Sequence, residues 1–373
     1  MRLNFQFLLL LCILAVTVYA QNDQSASLNI GDSAPPLQVR EWLKGTPVQE
    51  FEKGKVYVVE FWATWCKPCK AAMPHLSALA NEYKDKVIVL GINVYETKST
   101  SMKTIKSFID SMGGRMDYNV AAEDSNFMVA GWLDASGDRD MGIPRSFVVN
   151  GEGKEAWIGQ PKDLGEVLPK IVNNNWDIKE ALAKRNLDKY LKGLDREVNL
   201  QLNMYVGNPE KPSDPGKPEW ALLVINEFVN NEPKLKYAPV IAFHTFSSLL
   251  KTNPCKAYEY GKVAIVTTTY EEAAYDMIIA VIKIYSDKLN LPAEIYQLGI
   301  EAYQAKIDQL VYPEIENTYR FYKQMAAWYW HIQDKSNAIK AQQKAIEILK
   351  SNKSFSAGEM VALESNLQQY INR

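Results

Sequence analysis

The sequence predicts two architectures in one chain: an α/β region built on a mixed central sheet flanked by helices, followed by an all-α C-terminal region. Three observations carry this. Short β-branched apolar runs alternate with amphipathic helical stretches from Ile30 to about Asn175. Beyond Trp176 the strand pattern fades. Pro209, Pro212, Pro215 and Pro218 then crowd into one stretch that can continue neither a helix nor a strand ladder, which marks a linker.

The elements follow in order. Met1 and Arg2 precede the apolar run Phe5–Val18, which ends at Val18-Tyr19-Ala20 before polar residues. A basic start, a short apolar stretch and small residues at its end describe a secretory signal peptide over 1–20, with an uncleaved anchor as the alternative. Cys12 follows three leucines and is read as an apolar residue of that segment, and Asn22–Asn29 as a disordered polar stretch. Val56–Phe61 reads as a buried strand, Lys67–Tyr83 as a helix and Val87–Val94 as a second buried strand. Met102–Met112 is an amphipathic helix stopped by Gly113-Gly114, and Tyr118–Ala122 a short strand. Phe127–Leu133 is a helical turn. Ser146–Val149 and Glu155–Ile158, joined by Asn150-Gly151-Glu152-Gly153, form a hairpin, so the sheet is mixed. Leu164–Val172 closes the unit, and Lys179–Val206 is a further helix. The expected division is 1–20, 30–175, a helix with its Pro-rich linker over 176–218, and a helical domain over 219–373.

A length of 373 residues suits two or three domains. With 42 Lys+Arg against 44 Asp+Glu, the balance argues against a nucleic-acid binder or a polybasic membrane-surface protein. Four cysteines are too few for a disulfide-stapled scaffold, and His75, His244 and His331 are too scattered for a His-rich metal centre. No metal and no cofactor is expected.

The chemistry is expected at Trp65-Cys66-Lys67-Pro68-Cys69, directly after a buried strand and at the start of a helix. That spacing lets the two sulfurs meet within one helical turn. The helix N-terminus, with Lys67 beside it, favours a thiolate, the attacking species in thiol–disulfide exchange. Cys66, read as the more exposed of the two, is the expected nucleophile and Cys69 the resolving thiol. A zinc ribbon would need a second Cys/His pair, which the sequence lacks. A permanently closed structural disulfide would constrain little chain entropy across so short a loop.

The run Val56-Tyr57-Val58-Val59-Glu60-Phe61-Trp62-Ala63-Thr64-Trp65-Cys66-Lys67-Pro68-Cys69 resembles the active-site strand and helix start of thioredoxins, in particular the exported TlpA/ResA-type thiol–disulfide oxidoreductases. Pro74, at the position where thioredoxins kink that helix, and Gly142-Ile143-Pro144 before a strand extend the resemblance over about 30–175. It implies a thioredoxin-like fold, a cis peptide at Pro144, and main-chain hydrogen bonds from Ile143 to an extended client segment. It also implies a disulfide-containing client protein and a membrane thiol electron donor, with reduction the favoured direction. Glu60 stands where thioredoxins bury a carboxylate that relays protons to the resolving cysteine; burial would raise its proton affinity into a useful range. The alternative is a solvated or lysine-paired carboxylate. Some exported relatives carry a Glu three residues after the second Cys; here that residue is Ala72. Trp65 is expected at an apolar docking surface and Trp62 in the core. His75 is read as a solvated or satisfied side chain, and Cys255 as a buried inert thiol, with a regulatory or intermolecular disulfide as the alternative.

Ser101–Glu123 resembles the insertion common in TlpA-like and peroxiredoxin-like members. Thr64, however, lies two residues before Cys66 with no leading proline, which makes peroxide reduction the weaker enzyme reading. Tyr322, Met325, Ala326, Tyr329, Ala338 and Ala345 fall at the spacing of a tetratricopeptide-like hairpin turning at Gln333-Asp334-Lys335-Ser336. The helical domain is thus either a plain helical fold or a protein- or peptide-binding module. The reading from a different class makes the chain a helical scaffold whose thioredoxin fold is a passive docking module.

Overall fold

The computed structural model describes residues 28–372 apart from 124, 139–141, 206, 208–215, 271, 311–317 and 352–356. The proposed signal segment and most of the Pro-rich stretch lie outside the described residues. The chain divides into two compact units, Met1–Ala183 and Lys184–Arg373.

In the first unit, strands β1 (Val39–Lys44), β2 (Val56–Trp62), β3 (Val87–Asn93), β4 (Asn119–Glu123), β5 (Arg145–Val149) and β6 (Glu155–Gly159) form one sheet in the order β1-β4-β3-β2-β5-β6. β2, β3 and β4 run parallel; β1, β5 and β6 join antiparallel, so the sheet is mixed. Every residue of β2 is buried, as expected of a central strand covered on both faces. The β1 strand went unread in the sequence because its pattern Val-Arg-Glu-Trp-Leu-Lys is half exposed and carries register shifts against β4. It is an edge strand, and edges carry charge rather than an apolar run.

Alternation along β2 gives the sheet two different faces. Tyr57, Val59 and Phe61 join Leu90, Ile92, Trp132, Phe147 and Ile158 in one core, where Trp132 meets Phe147 edge-on at 5.3 Å. The segment supplying Trp132 is a π-helical turn, Val129–Asp134. Val58, Glu60 and Trp62 point to the other face, where Trp62 stacks at 5.5 Å on Phe108 of α2 (Met102–Met112). Helix α1 (Lys67–Glu82) follows β2, with Pro68 in its first turn, where no N–H is required, and Pro74 inside it. Helix α3 (Leu164–Val172) closes the sheet unit, and the first turns of α4 (Ile178–Leu202) add Ile178, Ala181 and Leu182 to the Trp132 core.

In the second unit the later part of α4 packs with α5 (Pro218–Asn231) through Leu191, Val198, Leu202, Ala221 and Ile225. Asp195 is buried there. It accepts the Val240 and Ile241 N–H groups at 2.9 and 3.0 Å and the Tyr270 hydroxyl at 2.6 Å. It thereby satisfies donors left open at the start of α6 (Pro239–Thr252). Helices α7 (Pro254–Ala264), α8 (Tyr275–Tyr285), α9 (Ala293–Asp308), α10 (Tyr319–His331), α11 (Lys335–Ser351) and α12 (Ala357–Asn372) follow, and one short antiparallel strand pair, Thr268–Thr269 with Glu272–Ala273, makes the unit largely rather than wholly helical. Gly299 leaves room for the Trp328 ring between α9 and α10. Met325, Ala326 and Ala338 are buried, with Tyr322 and Tyr329 packed against the same core. Cys255 is exposed rather than buried. It occupies the first turn of α7, and the inward positions of that helix are Ala257, Gly261 and Ala264. Among the described residues, no helix is long and apolar enough to cross a membrane.

Candidate active site

Cys66 and Cys69 are joined by a disulfide, with Cα atoms 5.3 Å apart. Cys66 is the N-cap of α1: its backbone is extended, and its sulfur accepts the Cys69 N–H at 3.2 Å. A thiolate at that atom would receive the same N–H and the positive end of the helix. Contrary to expectation, Cys66 is not the exposed sulfur. Cys66 is 2% exposed and Cys69 1%, so exposure does not distinguish them. Cys66 is covered because the loop before β5 seats against it: the Ile143 carbonyl oxygen lies 3.6 Å from its sulfur. What distinguishes the two is the cap position and that neighbour.

The Ile143–Pro144 peptide is cis, as the resemblance implies. Ile143 is half-buried and Pro144 buried. Arg145, which follows, is buried on the Phe61 side of the sheet and paired with Asp138 at 3.2 Å. Asp138 also accepts the Ser136 hydroxyl at 3.3 Å. This buried pair ties β5 to the segment following the π-helical turn.

Trp65 is 52% exposed beside the disulfide, and its indole N–H donates to the Tyr95 carbonyl at 2.8 Å. Tyr95 takes a left-handed conformation at φ 56°. The next residue, Glu96, accepts the Thr64 N–H at 2.6 Å, the Thr64 hydroxyl at 2.8 Å and the Asn93 amide at 2.8 Å. Loop 63–65 is thereby fastened to the segment after β3. Nothing in the sequence singled out Glu96. The available signal was its position just beyond the carboxyl end of a parallel strand adjoining β2, where such sheets place their sites.

Glu60 is fully buried. Its Oε2 accepts a hydrogen bond from the Ser146 hydroxyl, its antiparallel partner in β5. Burial pushes its proton affinity up to about 8; the Ser146 hydrogen bond and the Arg145 charge oppose that rise. Ser146 was not foreseen, although a polar residue opposite a buried glutamate in a central sheet is what satisfaction of buried polar groups demands. Trp62 is core, 1% exposed. His75 is half-buried, its ring against Gly165, and burial lowers its proton affinity. Among the described residues, no group of three His, Cys, Asp or Glu side chains is disposed to hold a metal ion.

A strand-to-helix turn carrying a disulfide at the helix cap, faced by a cis-proline loop, defines a thioredoxin-type redox site. Residues 46–108 match the family model described as Thioredoxin. The chain is 32% identical to Protein FixW of Rhizobium leguminosarum over 43% of its own length and 75% of that protein. It is 30% identical to thiol-disulfide oxidoreductase ResA of Bacillus cereus over 46% of this chain and 96% of that one. With ResA of Bacillus subtilis the identity is 32% over 39% of this chain and 76% of the relative. The chain belongs to the thioredoxin superfamily, among its TlpA/ResA-type thiol–disulfide oxidoreductases.

Proposed function

We propose that this chain is an exported oxidoreductase that reduces disulfides in client proteins. The reading is carried by the Cys66–Cys69 disulfide at the cap of α1, set against the Ile143 carbonyl. In the reduced protein the Cys66 thiolate attacks one sulfur of a client disulfide. A Cys66–client bond forms, the client bond breaks, and one client thiolate leaves. Glu60 as carboxylate accepts the Cys69 proton, and the Cys69 thiolate attacks the Cys66 sulfur. The intramolecular disulfide re-forms, the second client thiolate leaves and is protonated, and two electrons have passed to the client. A carboxyl near 8 is matched to proton transfer at neutral pH. A membrane thiol donor restores the dithiol by the reverse exchange.

Trp65 supplies an exposed apolar lip, and the cis Ile143–Pro144 bend the main-chain groups, against which a client segment docks. Export rests on the basic, apolar and small-residue pattern of 1–20. The helical unit is assigned to protein or peptide binding on the close pairing of α10 and α11, in which Met325, Ala326 and Ala338 are buried. Cys66→Ser is expected to abolish reduction of insulin disulfides by dithiothreitol-coupled turnover. Undiminished turnover in that variant overturns the mechanism, and an inert wild-type protein whose disulfide resists strong thiol reductant favours the docking-module reading.

A further inference from the structure

The face of the sheet that carries Glu60 contains three buried polar atoms with no hydrogen-bond partner among the described residues: Glu60 Oε1, Tyr118 Oη and Trp62 Nε1. They belong to one neighbourhood. Gly91 is the register partner of Glu60 in β3. A Cβ on Gly91 would stand 2.8 Å from Tyr118 Cε2 and 3.2 Å from Trp62 Nε1. The absent side chain of residue 91 therefore admits the edges of both rings beside the glutamate. Tyr118 enters from the turn before β4, and Trp62 lies two residues along β2 on the same face.

The inventory of hydrogen-bonding groups is complementary. Tyr118 O–H and Trp62 N–H are donors, and Glu60 Oε1 is an acceptor. One water molecule accepts two hydrogen bonds and donates to a third group, and buried waters typically make about three such bonds to otherwise unsatisfied atoms. Orphaned buried donors are rare in folded proteins, and ordered water is a common way of pairing them.

We propose that Tyr118 and Trp62 are positioning residues for Glu60, holding one buried water that donates to Glu60 Oε1 and sets the pH at which this carboxyl ionises. The inference deepens the proton-relay role given to Glu60 above and rests on that assignment. The arrangement completes the carboxylate: Ser146 satisfies one oxygen and the held water the other. Burial and the charge of Glu60 both raise the proton affinity of the Tyr118 phenol, so the tyrosine remains a donor throughout the range in which Glu60 titrates. Among the described residues, the Arg145 charge is the one ionic influence on this carboxyl besides Tyr118. The inward residues of α1 are Cys69, Ala71, Ala72, Met73, Leu76, Ser77 and Leu79. Those of α2 are Ile105, Ile109 and Met112, and β5 contributes Ser146 and the Arg145 charge from its far side.

The test is a ¹³C NMR titration of the Glu60 carboxyl in the full-length oxidised protein, in which Cys66 and Cys69 do not titrate. Removing a donor from the water–carboxylate cluster favours the protonated form. Tyr118→Phe and Trp62→Phe are each expected to move the Glu60 midpoint upward by about one pH unit. A crystal structure of the wild type at high resolution should show one water within hydrogen-bonding distance of all three atoms. That measurement decides the matter if either variant fails to fold. Midpoints unchanged in folded variants, or a site empty of water at that resolution, overturn the proposal. The titration reads the Glu60 proton alone. Failure of Glu60 to assist turnover would show separately, as unaltered pH–rate kinetics in Glu60→Gln.

Discussion

Replacing Glu60 by glutamine should flatten the pH dependence of stability of the sheet unit. An ordinary glutamate titrates near 4.5, and burial raises Glu60 to about 8. Below pH 4.5 both folded and unfolded states keep the proton, and no penalty exists. Between 4.5 and 8 the unfolded chain ionises while the folded state does not, so stability falls as pH rises. Above 8 both are ionised, and the loss is complete. At ~1.4 kcal/mol per pH unit the full difference is about 5 kcal/mol, a large part of the 5–15 kcal/mol that stabilises a typical domain. Glutamine is neutral throughout, so the variant lacks this slope whatever its absolute stability. Native-state hydrogen exchange of the β2 amides, corrected for intrinsic rates, reports opening of this unit separately from the helical one. In oxidised protein, the wild type should lose several kcal/mol of opening free energy between pH 5 and pH 9 relative to Glu60→Gln. Parallel profiles for the two proteins would show the opposite, that Glu60 ionises as freely when folded as when unfolded.

Two further outcomes follow from the geometry. Trp65→Ala removes an exposed ring whose indole N–H donates to the Tyr95 carbonyl in the segment after β3. It should raise KM for a protein disulfide several-fold with kcat little changed, as measured by steady-state insulin reduction. Asp195→Ala strands the Val240 and Ile241 N–H groups and removes the acceptor of the Tyr270 hydroxyl bond. It should cost the helical unit about 2–4 kcal/mol in denaturant unfolding.

Much of the sheet unit was legible because its central strands are buried on both faces and read as unbroken apolar runs, as in Val56–Phe61 and Val87–Val94. The helix after the cysteines announced itself through the spacing of Ala72, Leu76, Leu79 and Tyr83. The strand β1 was illegible because an edge strand needs no apolar period. The cysteines and Glu60 stood out, the first by spacing and the second as a charge inside an apolar strand. Their partners did not. Ser146, Glu96 and Tyr118 are ordinary polar residues whose importance comes from cross-strand register and loop closure, and single-sequence periodicity carries neither. The supposed exposure of Cys66 was misjudged for the same reason, since the covering Ile143 carbonyl comes from 77 residues away. Cys255 was misjudged because cysteine is usually buried, whereas its place in the first turn of a helix faces solvent.

In the proposed exchange Cys66 attacks and Cys69 resolves, and this division of labour is open to direct trapping. It is tested most directly by incubating full-length Cys69→Ser with a disulfide-containing protein and locating the adduct by mass spectrometry of the non-reduced peptides. A stable mixed disulfide on Cys66, absent from Cys66→Ser, is the predicted result. An adduct confined to the exposed Cys255, or none at all while the wild type still turns over, would contradict it.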